Sequence, residues 1–297
     1  MKRHLIFLLF LGIPLWINAQ TGLVTVSSER EANKQVVISA NNRSTIPHSV
    51  ILKFSNLSNT SSVNEEVEYP VLVESGSRRL MTLKPMDSNV GIGYRYSILI
   101  WKGNVVAEPD TNYVYLFPVM PGKKVKISPT TSMEKILGQK KSFHMTGLAF
   151  KTQEGDTIVA SRGGVVIDMK DDVASVGENK AYNSSENYVE IYHKDGTIAN
   201  YKLFKNQGIF VQPGDRVIPG QPLGIIGGAN YSNGSHLRFR VSSVYHCEYK
   251  SIFPCFYLSE GQTDRPNFKM TYVSDHPQEL IMKEIGKKEK KKYLEKK

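Results

Sequence analysis

The sequence predicts an all-β protein, with an N-terminal β-sandwich followed by a two-layer antiparallel β domain. Three observations carry that prediction. Apolar and polar residues alternate with period two through the first third of the chain, and clusters of Asn, Ser, Glu and Gly interrupt the alternation at short intervals. From Gly163 onward, short Val- and Ile-rich runs are joined by tight Gly-containing turns.

The first element is an address. Lys2 and Arg3 precede an apolar run over residues 5–17, and Asn18, Ala19 and Gln20 follow. A basic start, a short apolar stretch and a small residue before the break form the pattern of an export signal, with cleavage expected before Gln20. The run is shorter than the roughly 20 residues a membrane-spanning helix needs. No cysteine stands at the break to accept a lipid.

Residues 20–120 are expected to form the sandwich. Val50, Leu52 and Phe54 alternate with Ser49, Lys53 and Ser55, while Tyr94, Tyr96, Ile98 and Ile100 alternate with Arg95 and Ser97. Such alternation marks strands with one buried face. Turn clusters over residues 41–44, 56–64, 74–77 and 87–93 divide the segment into about seven strands. No catalytic grouping is legible there. A linker over residues 118–129 contains Pro121, Gly122, Lys123, Lys124 and Lys126.

Residues 121–246 form the second expected domain. Gly163 and Gly164 precede Val165-Val166-Ile167, and Asn187-Tyr188-Val189 leads to His193-Lys194-Asp195-Gly196. Next come Gly214-Asp215-Arg216-Val217-Ile218-Pro219-Gly220-Gln221 and finally His236-Leu237-Arg238-Phe239. In this order the four motifs resemble the lysostaphin or LytM type of peptidoglycan zinc endopeptidase, metallopeptidase family twenty-three. The resemblance covers about 100 residues and implies a fold like the duplicated hybrid motif, with a groove across one sheet.

It also implies a site. The family's zinc is held by an early His, an early Asp and the last His of a His-x-His strand, while two further histidines polarise water and the oxyanion. The resemblance places the early His at His144 and the early Asp at Ala149. The Tyr-x-His-Leu segment falls on Tyr201-Lys202-Leu203-Phe204, so Leu203 replaces a catalytic imidazole. In the last strand His236 is retained and Arg238 replaces the third ligand. A permanently charged guanidinium repels a metal ion, and one imidazole does not hold zinc alone.

No catalytic set is therefore intact, and no metal or other cofactor is expected. His144, His236, Arg238 and Arg240 become candidate ligand-binding residues. His236, Arg238 and Arg240 share one strand face, which reads as a positive patch suited to a carboxylate of a stem peptide, although any of them could be an ordinary groove-lining or solvent-facing side chain. The expected function is an exported, periplasmic or secreted cell-envelope protein that binds peptidoglycan or regulates a cell-wall hydrolase. Two alternatives stay open. An active zinc endopeptidase could use a relocated metal site drawn from His193, His246, Asp156 or Asp168. A biotinyl- or lipoyl-type carrier would need a modifiable lysine at a hairpin, for which Lys170 is the candidate.

Residues 247–297 are read as a C-terminal extension. Cys247 and Cys255 are candidates for a disulfide in an oxidising compartment, or for two buried thiols. The chain carries a net +10, and residues 283–297 hold eight lysines against three glutamates. That tail is either a solvated helix end or a contact with an anionic surface. Nucleic acid is not an expected partner of an exported chain.

Overall fold

The computed structural model describes residues 19–131, 145–174, 185–245, 248–259 and 261–295. The export-signal segment, His144, His246 and Cys247 lie outside them. The described chain is built almost wholly of strands, as the alternation predicts. Two compact units divide it, one formed by the described residues up to Ser44 with Val50–Ile100, the other by Thr45–Ser49 with the described residues from Trp101 on.

In the first unit, β1 (Ala19–Thr21), β2 (Val24–Arg30), β3 (Val36–Asn42) and β6 (Gly76–Leu83) form one antiparallel sheet. The strands β4 (His48–Ser58), β5 (Glu68–Val73) and β7 (Gly93–Lys102) form a second, in the order β5-β4-β7. Val24, Val26, Ile38, Val50, Leu52 and Phe54 meet between them, each almost inaccessible to water. The inward residues are the alternating apolar positions of the sequence, which makes this unit a β-sandwich.

The second unit begins with β8 (Val114–Tyr115), β9 (Lys124–Thr131), β10 (Met145–Lys151), β11 (Thr157–Val159), β12 (Gly164–Lys170) and β13 (Tyr188–Tyr192). It continues through β14 (Ile198–Lys202), β15 (Phe204–Ile209), β16 (Arg216–Val217), β17 (Pro222–Ile226), β18 (His236–Tyr245) and β19 (Glu248–Ile252). Then come β20 (Cys255–Ser259), β21 (Gln262–Asp264), β22 (Thr271–Val273) and the helices α1 (Gln278–Met282) and α2 (Lys287–Glu295).

A nine-stranded sheet in the order β16-β12-β13-β14-β18-β10-β9-β22, with β19 added beside β18, forms its main layer. The small sheet β11-β17-β15 supplies a second layer. Leu148, Phe150, Val189, Ile191, Tyr201, Leu237 and Phe239 from the first layer join Phe204, Leu223 and Ile226 from the second in one core. Tyr113, Tyr115, Phe117 and Val119 bury in that same core, so aromatic burial binds the stretch after β7 to this unit.

Residues after 247 also enter the sheets. The ladder of β19 runs along β18, β20 pairs in parallel with β8, and β22 pairs with β9. Each core residue of β18 alternates with one on the opposite face, and that opposite face carries the site.

Candidate functional site

Five adjacent strands, β13-β14-β18-β10-β9, floor a groove of about 730 Å³. Alternation decides which side chains reach it. Leu148, Phe150, Leu237, Phe239 and Tyr201 point into the core, so Ala149, Lys151, His236, Arg238, Arg240 and Lys202 line the groove. Gly147 lets the strands close here: a Cβ at that position would stand 2.7 Å from the Phe239 carbonyl and 3.2 Å from the Arg240 side chain.

Ala149 lies directly opposite Arg238 in the β10–β18 ladder, and Lys151 lies opposite His236. The β9–β10 pairing is irregular between Met145 and Gly147. Leu203 sits just past β14, buried, with φ +80°. Its N–H donates to the Asn187 carbonyl at 2.9 Å, and its carbonyl accepts from Gly227 N–H at 2.8 Å. The left-handed region is uncommon for leucine and several-fold richer in His, Asn and Asp. This backbone thus suits an imidazole-bearing residue better than the leucine it carries.

His236 is buried and its ring is fully spoken for. Nδ1 lies 2.7 Å from the Gly234 carbonyl, and Nε2 is 3.3 Å from Arg238 Nε. A proton on Nδ1 satisfies both contacts, since Arg238 then donates to the lone pair on Nε2. Burial lowers the His236 pKa, a hydrogen bond to Gly234 opposes that, and the Arg238 charge lowers it further. The neutral ring is favoured.

Arg238 is not the unpaired cation expected from the sequence. Its Nη1 donates to Glu186 Oε1 at 2.7 Å, and the Glu186 side chain is only 6% exposed. Tyr231 OH donates to the same oxygen at 2.9 Å, and the guanidinium lies 5.0 Å from the Tyr231 ring centre. Lys202, opposite Arg238 in the β14–β18 ladder, stands 3.9 Å from Glu186 Oε2. One buried carboxylate thus answers two cations, and the patch is less positive at this point than the strand pattern implies. Arg240 is exposed on the same face, opposite Asn200.

These side chains do not fit zinc. The described floor offers a methyl group at Ala149 and a guanidinium at Arg238, and the lone pair of His236 already accepts from that guanidinium. Among the described residues, no three His, Cys, Asp or Glu side chains converge on a common point. The substitute ligands are spent separately. Asp156 accepts from Lys123 at 2.7 Å, and Asp168 accepts from Lys102 at 3.0 Å. His193 is sealed in the interior. Lys170 lies within β12, 3.0 Å from Asp172, rather than at a hairpin tip. Cys255 opens β20. Its proposed bridge to Cys247 falls outside the described residues, as does His144.

Glu186 and Tyr231 are the groove residues that sequence reasoning missed. Neither belongs to a motif, and Glu186 is 52 positions from the arginine it neutralises. Only the unusual combination of a cation in a ligand position could have prompted a search for its partner.

Residues 143–250 match the family model described as Peptidase family M23. The lysostaphin and LytM resemblance of the motifs is borne out for this segment. Solved structures of similar fold include a mutant catalytic domain of the prophage-encoded M23 protein EnpA from Enterococcus faecalis. It is 23% identical over 43% of this chain and 87% of that one, with a TM-score of 0.32. The catalytic domain of the antimicrobial peptidase lysostaphin from Staphylococcus simulans is 22% identical over 43% of this chain and 79% of its own, with a TM-score of 0.27. A structure of the SpoIIIAH and SpoIIQ complex matches at 18% identity over 46% and 96%, with a TM-score of 0.33. No curated protein matches the chain.

Proposed function

We propose, on the premise that residues 143–250 form an M23-type domain, that this is an exported cell-envelope protein whose groove binds peptidoglycan without hydrolysing it. One observation carries the reading: the Arg238 guanidinium is bound to His236 Nε2 and to Glu186, opposite the methyl group of Ala149. In the M23 resemblance both positions belong to metal ligands. A cation fixed by two protein groups takes the electrostatic place of an ion, but it has no open coordination position with which to activate water.

What remains is a shaped surface. His236 cannot serve as a base while its lone pair is held by Arg238, and Leu203 offers no proton acceptor. Arg238 uses Nε and Nη1 internally, so its remaining donors can meet a stem-peptide carboxylate at the groove, and Arg240 stands on the same face. Export rests on Lys2, Arg3 and the apolar run that follows. Control of a cell-wall hydrolase would follow from occupying the same polymer.

The test is sedimentation with purified sacculi, followed by analysis of the supernatant. The full exported chain should pellet with sacculi and release no muropeptides even with added zinc. Released muropeptides would overturn the reading, and so would a chain that stays wholly in solution.

A further inference from the structure

We infer that the groove and the sheet face beside it recognise an extended polyanion, whose oxyanion groups lie over cross-strand pairs of cations. This rests on the reading of the groove as a non-hydrolytic binding surface and names the chemistry that surface selects. The argument starts from a pairing that is unfavourable by itself. Lys202 and Arg238 are direct partners in the β14–β18 ladder. Like charges placed opposite one another in a sheet repel. The protein answers this pair with its own anion, Glu186, which reaches both.

A second pair lacks such an answer. The β9–β10 register runs Leu148 to Pro129, Ala149 to Ser128 and Phe150 to Ile127. One further step sets Lys151 opposite Lys126. Val125 and Ile127 are core residues, so Lys124 and Lys126 alternate onto the face that Ser128 and Thr130 share with the groove. Among the described residues no carboxylate stands within ion-pair distance of Lys124, Lys126, Lys151 or Arg240, whereas Glu190, the other groove acid, is already 3.2 Å from Lys102. All four unanswered cations are exposed.

Their spacing follows from the sheet. Two residues along a strand advance about 6.6 Å, and neighbouring strands lie about 4.8 Å apart. Lys124, Lys126 with Lys151, and Arg240 therefore present positive charge along an open track instead of at one point. A single small anion would meet only one station, while a chain of carboxylates or phosphodiesters would meet several. Glu186 over Lys202 and Arg238 shows how one such group is seated.

The experiment measures binding of hexagalacturonate, a carboxylate chain, and of hexathymidylate, a phosphodiester chain, with neutral hexagalactose as the control. The full exported chain is used throughout. At least one anionic hexamer should bind, the neutral one should not, and the stronger of the two identifies the source chemistry. With four contacts, hexathymidylate binding should weaken roughly fifty-fold between 50 and 200 mM salt, a log–log slope of about −2.8. The triple variant Lys126→Gln, Lys151→Gln, Arg240→Gln should bring that slope to about −0.7. Its thermal transition should be unchanged, because all three side chains are exposed.

Failure of both anionic hexamers, equal binding of the neutral one, or an unaltered salt slope in the triple variant would overturn the inference. Retention on sacculi alongside such failure leaves the non-hydrolytic reading standing. Zinc-dependent muropeptide release would strike that reading instead.

Discussion

Two arginines of the second unit, Arg162 and Arg238, have a similar inventory of partners and opposite surroundings. The Arg162 side chain is 3% exposed. It donates to Glu284 through Nε at 3.0 Å and Nη2 at 2.6 Å, and to Asp195 through Nη1 at 2.8 Å. Its guanidinium lies 3.6 Å from the Tyr113 ring centre. Arg238 is 24% exposed, with one carboxylate and one imidazole. A sealed and nearly saturated cation holds structure together, whereas one with donors left toward a groove is placed for recognition. The contrast separates a residue that the fold needs from one that the function uses.

The largest expected effect tests the structural side. Glu284→Ala leaves Arg162 buried with only Asp195, and breaking a buried pair of this kind costs about 3–5 kcal/mol. Urea unfolding should show the loss in the transition of the second unit and leave that of the sandwich in place. An unchanged second transition would mean that the contact made by the segment after α1 is dispensable.

His193 sharpens the comparison through pH. It is fully buried beside this cluster, with Nδ1 2.8 Å from the Gly163 carbonyl and Nε2 without a hydrogen-bond partner. Burial first, and the Arg162 charge second, push its pKa down to about 4. A histidine held neutral in the folded state contributes stability that is fully present above about pH 6.5, its unfolded value, and is lost as pH falls toward 4. The difference is worth about 3 kcal/mol. Stability measured at pH 7 and pH 4 should therefore fall more steeply in the wild type than in His193→Gln, and parallel curves would contradict the assignment.

A smaller effect is expected at the groove. Glu186→Gln keeps the shape but removes the charge that answers Arg238 and Lys202. Loss of that charge-assisted contact should cost about 1–2 kcal/mol, while affinity for an anionic hexamer should rise. The opposing signs distinguish a binding surface from a structural one. If both quantities fell together, Glu186 would belong with Glu284.

Much of this groove was legible in the sequence because strands obey period two. Once Leu237 and Phe239 are assigned to the core, His236, Arg238 and Arg240 must share the other face. Ordered motifs then placed Ala149 and Leu203 at positions that the M23 resemblance reserves for a carboxylate and an imidazole. The left-handed backbone at Leu203 had no sequence signal, since leucine gives no hint of positive φ. Partners across long separations were equally hidden: Glu186 lies 52 positions from Arg238, and Glu284 lies 122 from Arg162. Pairing across such distances is fixed by sheet order, and local pattern does not encode sheet order. The same reason hid the role of the residues after 247, whose strands pair with β18, β8 and β9.

The comparison turns on whether a guanidinium has replaced a metal. The most direct test is the zinc content of the purified exported chain after incubation with zinc and exhaustive dialysis. A domain built as described retains less than about 0.1 zinc per chain, because no described groove position supplies the three or four ligands that tetrahedral zinc requires. Retention of about one zinc per chain, lost on substitution of His236, would contradict the account.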